Sequence, residues 1–376
     1  MTRSNATDMK ETISQKLMPA LLCGIVAAIL SFQPGITAQA VGQEASSQLR
    51  LKWKLLEPIP DKLGVAGAYA GISDGRLLVA GGANFPTLPP WEGGSKVWHD
   101  RVWAMDFVSG EWSEAGKLPR PLGYGVSVST ERGLICLGGS DREKHYRECF
   151  LLRWTTAGLR TESLPDLPQP LANAAGALVG QAIYVCGGTD APDAMRPTAA
   201  LWRLDLSARD PNWERLEDCP GGPRLLPVAA GDSDSFYVFG GADLKPRDDG
   251  KTERLYLRDA WTYNAANGWR KLADSPVPIV AAPSPAPLLS GGELLILGGD
   301  TGEHVGFQPP GKHPGFSRQS LVYHPRLDEW RTLDEKSPVS RVTAPLVKGT
   351  TGWLLVSGEQ RPGVRSPEVW RIVEQR

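Results

Sequence analysis

Leu77-Leu78-Val79-Ala80-Gly81-Gly82 is a short apolar run closed by two glycines, and the chain repeats the device. It returns as Leu134–Gly139 (LICLGG), Ile183–Gly188 (IYVCGG), Phe236–Gly241 (FYVFGG) and Leu294–Gly299 (LLILGG), and in altered form as Trp353–Gly358 (WLLVSG). Successive copies lie 57, 49, 53, 58 and 59 residues apart. A regular step of this size marks a repeat architecture. Each copy has the same sequel. After a loop of variable length comes a strand carrying an aromatic: Trp103, Phe150, Trp202, Trp261, Tyr323 or Trp370. Soon after follows Trp112, Trp213, Trp269 or Trp330, with Leu159 in the second unit, and then a proline-containing turn and a strand of small residues.

The last unit lacks its final strand, and the missing piece stands at the other end of the chain. Leu51-Lys52-Trp53-Lys54-Leu55, followed by Pro58 and Pro60, has the Trp-then-Pro pattern of a fourth strand. Trp53 therefore completes the sixth unit and closes a ring, which removes the exposed sheet edges of an open array. These features resemble kelch repeats: four strands per unit, Gly-Gly after the second, aromatics on the third and fourth. The expected fold is all-β, a single six-bladed kelch β-propeller over residues 51–376. Gly-Gly suits a turn that a side chain would obstruct, and the aromatics fill the wedge between blades.

Composition agrees. The 376 residues include 42 Gly and 32 Pro, about a fifth of the chain, which argues against long helices. Nine of the 13 Trp fall on the two repeated positions, so they are read as packing residues. With 41 basic and 42 acidic residues the net charge is -1, and nothing suggests a nucleic-acid surface.

Residues 1–40 are expected to be a secretory signal. Lys10 and Lys16 precede an uncharged run from Leu17 to Phe32, and Ala38-Gln39-Ala40 supplies a small-x-small cleavage site. The run is short for a transmembrane helix, so no stable membrane insertion is expected after cleavage near Ala40; an uncleaved anchor is the alternative. The location is then periplasmic or secreted. Cys136, Cys149, Cys186 and Cys219 remain. They are read as buried small hydrophobes, although an oxidising compartment permits a disulfide of unassigned pairing.

In a four-stranded up-and-down blade, the loops between second and third strands share one rim with the connections between blades. Those loops are 83–101, 140–148, 189–199, 242–257, 300–319 and 359–367, and such a rim is where a site is expected. Its charged residues include Lys96, His99, Asp100, Arg120, Arg224, Asp300, Arg341, Glu359, Arg361 and Arg365. Arginines at a channel mouth suit an anionic ligand. The sixth loop, Gly358-Glu359-Gln360-Arg361-Pro362-Gly363-Val364-Arg365, places a carboxylate next to a strand end with two arginines close by. His304 and His313 have no third ligand nearby, so a metal site is not expected there.

That loop, with GVAGAYAGISDGRLLVAGGANF (64–85), PLGYGVSVS (121–129) and CPGGPR (219–224), resembles the bacterial N-acetylneuraminate epimerase (sialic acid mutarotase) family within the kelch class. The order of segments implies a cyclically permuted member, which a closed ring tolerates. The resemblance implies an isomerase acting on a small acidic sugar without a cofactor. The family pattern G-E-x-x-P-G-x-R falls on Gly358, Glu359, Pro362, Gly363 and Arg365. Glu359 is then the acid/base and Arg365 the functional arginine. Arg224, Arg341, Asn84 and Arg361 are candidate sugar-binding residues. Two readings stay open beside it: a non-catalytic kelch module that binds a glycan or protein, and a mutarotase for a different acidic sugar. A copper oxidase would need a Tyr/His/Cys centre, and five scattered His give none.

Overall fold

The computed structural model describes residues 49–375, so the expected signal segment lies outside the described residues. The described chain is built from strands, with short 3₁₀ turns at Pro90–Glu92 and Pro310–Lys312. Six antiparallel sheets form a six-bladed β-propeller. Blade 1 is 69–73, 76–80, 101–106 and 112–117; blade 2 is 126–130, 133–140, 145–155 and 158–164. Blade 3 is 175–179, 182–186, 201–205 and 213–216; blade 4 is 228–231, 235–239, 260–264 and 268–272. Blade 5 has strands 294–299, 317–324 and 329–332. Its inner segment contains Pro283, Pro285 and Pro287, which lack the N–H groups a ladder needs. That segment is held instead by a bridge between Leu288 and Leu294 and by the Ala286 N–H on Ala229 O at 2.7 Å in blade 4.

Blade 6 is 346–348, 353–356 and 369–375, completed by 50–55 from the other end of the chain. The closing register runs from Arg50↔Gln375 to Leu55↔Trp370. Trp53 meets Trp370 edge to face at 6.3 Å. The core consists of apolar wedges between blades. Leu78, Val102 and Cys136 fill one, and Leu354, Val369 and Leu77 another. In blades 1, 3, 4 and 5 the fourth-strand tryptophan also fastens the blade to the one before it. Trp112, Trp213, Trp269 and Trp330 donate their indole N–H to the carbonyls of Glu57, Pro165, Glu217 and Ala273, at 2.8–3.0 Å. These carbonyls lie just beyond the outer strand of the preceding blade. The four cysteines are buried thiols. Cys136 and Cys149 belong to different wedges, whereas Cys186 and Cys219 share one.

The upper rim departs from expectation in blade 2, where the strands run on to Ser140 and back from His145, leaving only a tight turn where 140–148 was read as loop. The loops of blades 1, 4 and 6 carry small hairpins: 83–84 with 97–98, 242–246 with 252–256, and 359–361 with 364–365.

One feature of the rim sets the floor of the site. Gly67, Tyr124, Asn173, Leu226, Ala281 and Thr343, one from each blade entry, are all left-handed, with φ between 49° and 66°. Their backbones form a closed circle: the N–H of each donates to the carbonyl of its counterpart in the adjacent blade, from Tyr124 onto Gly67 around to Gly67 onto Thr343, at 2.7–2.8 Å. Left-handed backbone at a non-glycine residue costs on the order of 1 kcal/mol and persists only where surroundings impose it. Here the circle imposes it. The floor residues and those that follow them line an axial cavity of about 80 Å³, room for a handful of waters.

Candidate active site

Glu359 and Arg365 face each other across the blade 6 hairpin, whose turn is Pro362-Gly363. Gly363 has φ 79°, and a Cβ there would lie 2.6 Å from Pro90 atoms and 2.9 Å from Trp91. Glycine lets the blade 1 loop close over this turn. The Gly363 N–H donates to Glu359 Oε1 at 2.7 Å, and Arg365 Nη1 lies 3.5 Å from the same oxygen. The Glu359 side chain keeps 17% of its exposure, so it is oriented yet reachable, while that of Arg365 keeps 3%.

The Arg365 guanidinium is wedged between blades. Its Nε donates to Ala83 O at 3.3 Å, its Nη2 lies 3.5 Å from the Tyr124 hydroxyl, and its plane sits 4.7 Å from the Phe85 ring. Nη1 has no hydrogen-bond acceptor at ordinary distance. Ser357, where the other units have glycine, anchors this junction. Its Oγ accepts the Val65 N–H at 2.8 Å and lies 2.7 Å from Ser366 O.

Beyond Arg365, the Tyr124 ring meets Trp98 edge to face at 6.4 Å, and Lys96 Nζ lies 4.9 Å from its centroid. On the other side, Arg361 Nη1 donates to Gly311 O at 2.7 Å, tying the blade 6 loop to the long blade 5 loop. There His304, Phe307, His313 and Phe316 pack ring against ring at 5.6–6.1 Å. Burial and the neighbouring His304 push the His313 imidazole below its usual range. Asp300, at the position in blade 5 that Glu359 holds in blade 6, accepts from the Tyr256 hydroxyl at 3.1 Å and the Gly302 N–H at 2.9 Å.

Three of the expected sugar-binding residues have other occupations. Arg224 is 0% exposed, and its guanidinium is bound to both Asp259 oxygens at 2.8 and 3.2 Å and to Gly240 O at 3.0 Å. Asp259 also accepts the Trp261 indole N–H at 2.6 Å. Arg341 repeats this in blade 6, bound to Glu368 and to Ser366 Oγ at 2.8 Å, with Glu368 accepting from Trp370 at 3.0 Å. Both arginines are internal ties between a blade entry and a third strand, because the connection turns inward past its prolines. Asn84 is buried as well. Its amide donates to Gly64 O at 2.9 Å and its Oδ1 lies 2.9 Å from His99 Nε2. Of the other rim charges, Asp100 pairs with Lys117 and Arg120 with Glu148. Glu359 and Arg365 are brought together, while Arg361 on the same hairpin donates to the blade 5 loop.

Sequence reading missed Tyr124, Trp98 and Phe85. A signal existed: each floor residue stands fourteen positions before the first residue of the closing pair (Gly-Gly, or Ser357-Gly358) in five of the six units.

A family model for N-acetylneuraminate epimerase matches residues 25–160 and 164–306. Asn84, Tyr124 and Arg224 fall within the match, and the 359–365 hairpin follows it. The N-acetylneuraminate epimerase of Salmonella typhimurium is 27% identical over 251 residues, covering 60% of this chain and 62% of that protein. That of Salmonella enteritidis is 26% identical over 249 residues with the same coverage. The Brucella suis protein of that name is 44% identical over 110 residues, 27% of this chain and 28% of its own. The chain thus spans about three fifths of the length of the Salmonella relatives.

Proposed function

The chain belongs to the N-acetylneuraminate epimerase family, and from that premise we propose that it interconverts the α and β anomers of N-acetylneuraminate, with Glu359 as general base. The observation that carries this reading is the Glu359 carboxylate: reachable at the channel mouth, aimed by the Gly363 N–H and held against Arg365. Mutarotation requires the anomeric hydroxyl to lose a proton while the ring oxygen gains one. The ring opens to a keto form, which recloses on its other face. The bond from the anomeric carbon to the ring oxygen breaks and re-forms as these protons move, so the site must supply positioned acids and bases, each contributing about 10²–10⁴-fold. Arg365, Arg361 and Lys96 make the neighbourhood of Glu359 positive, which favours an anionic sugar. Arg365, almost fully enclosed, orients Glu359 and contributes its field; the more exposed Arg361 and Lys96 are better placed to meet a substrate carboxylate. The folded ring acts outside the cytoplasm, after removal of a signal ending near Ala40.

Anomeric exchange measured by NMR tests this on N-acetylneuraminate, a uronic acid and glucose. Acceleration for the sialic acid above the other two supports the reading. Acceleration confined to another sugar overturns the substrate. No acceleration for any overturns the enzyme reading and leaves a glycan-binding propeller.

A further inference from the structure

We propose that Tyr124 is the second proton-transfer group of this site, the partner of Glu359. The inference rests on the mutarotase reading above and deepens it. Among the six floor positions, Tyr124 alone carries an ionisable side chain; its counterparts are Gly67, Asn173, Leu226, Ala281 and Thr343. A bulky residue at φ 60° is a conformational outlier, and the hydrogen-bonded circle holds it there. The adjacent floor residue leaves room for its ring, since a Cβ on Gly67 would lie 2.6 Å from Tyr124 Cδ1.

The hydroxyl is placed for chemistry. One guanidinium, that of Arg365, carries Glu359 at Nη1 and the Tyr124 oxygen at Nη2, each at 3.5 Å. In that contact the phenol oxygen is the acceptor, and among the described residues no group accepts the phenolic proton. The other tyrosines of this rim differ: Tyr146 donates to Asp141, and Tyr256 to Asp300 at 3.1 Å. Negative charge developing on the Tyr124 oxygen would face Arg365, with Lys96 over the ring. Asp300, the other acid at this level, already accepts from Tyr256 and Gly302 and has no contact with Arg365.

The step balances. Glu359 takes the proton of the anomeric hydroxyl, and the bond from the anomeric carbon to the ring oxygen breaks. The ring oxygen takes the Tyr124 proton, leaving a keto sugar and a phenolate against Arg365. Rotation about the bond next to the carbonyl presents its other face. The hydroxyl then re-adds and returns its proton to Tyr124, while Glu359 reprotonates the anomeric oxygen.

The test is Tyr124→Phe in the full chain, which removes one oxygen and keeps the ring packing. Folding is checked by thermal melting, sugar affinity by calorimetry and rate by NMR exchange. The expected result is kcat lowered about 10²–10⁴-fold with Kd for N-acetylneuraminate within threefold of wild type. Wild type active with the variant within threefold of its rate overturns this proposal alone. An equal loss of affinity and rate overturns it in favour of a binding role. A wild-type protein that accelerates no sugar overturns the mutarotase reading itself, and this inference with it.

Discussion

Replacing Asp259 with alanine separates the two roles open to Arg224. In the structure Arg224 is 0% exposed and its charge is met by Asp259 through two hydrogen bonds. Removing the carboxylate leaves a buried guanidinium without its counter-ion, a loss of about 3–5 kcal/mol. The Trp261 indole N–H loses its acceptor at the same time, which adds about 1–3 kcal/mol if no water replaces it. In a chain of this size, with about 2 °C of melting temperature per kcal/mol, the expected fall is roughly 10 °C. Arg224→Met removes the charge together with the need for a partner, so it should cost less than half as much. The assay is thermal unfolding paired with anomeric exchange at a temperature where all variants are folded. The expected outcome is a large fall in melting temperature for Asp259→Ala, a smaller one for Arg224→Met, and exchange rates within about twofold of wild type for both. Unchanged melting temperatures with weakened sugar binding in Arg224→Met would refute the structural role and return Arg224 to the site.

Other outcomes follow from the same geometry. Gly67→Ala places a Cβ 2.6 Å from the Tyr124 ring at φ 66°, so it should destabilise by more than about 1 kcal/mol and lower the exchange rate by displacing Tyr124; an unaltered rate would count against the floor as a positioning device. Deleting residues 49–55 uncovers the 369–375 edge and removes the Trp53–Trp370 contact, and should yield aggregates or no folded protein by size-exclusion chromatography; a stable monomer would contradict closure. His145 donates its Nδ1–H to Thr189 O at 2.9 Å, and burial holds its imidazole below the usual range against the pull of Asp190, Asp141 and Asp193. Its folded value being the lower one, its contribution is fully present above about pH 6.5 and is lost as pH falls below that. Stability should therefore decline from pH 7 to pH 5, and His145→Gln should flatten the decline; an unchanged slope would rule out His145 as its source.

Much of the ring was legible because its determinants are local and repeated. Gly-Gly marks the end of each second strand, the paired aromatics mark the third and fourth, and Trp53 beside Pro58 shows which end supplies the missing strand. Glu359 and Arg365 were legible because five intervening residues with a Pro-Gly turn suffice to bring them together. Arg224 and Arg341 were placed on the rim because an arginine after a proline turn reads that way, and their ion pairs were not legible. Their partners lie 35 and 27 residues onward, and only comparison between units shows the pattern: Asp259 stands two before Trp261, and Glu368 two before Trp370. Tyr124 was hidden for a different reason. Its placement depends on a backbone circle that joins all six blades, and no single repeat contains that information. Asn84 sits in a family-like segment, but its amide serves the 61–64 turn rather than the channel.

The most direct test of the central claim is Glu359→Gln, followed by NMR exchange between the two anomers of N-acetylneuraminate. The amide keeps the size of the side chain and an oxygen for the Gly363 N–H but cannot take a proton from the sugar. The account predicts a correctly melting protein whose catalysed exchange falls by about 10²-fold or more. Exchange within threefold of an active wild type would contradict it.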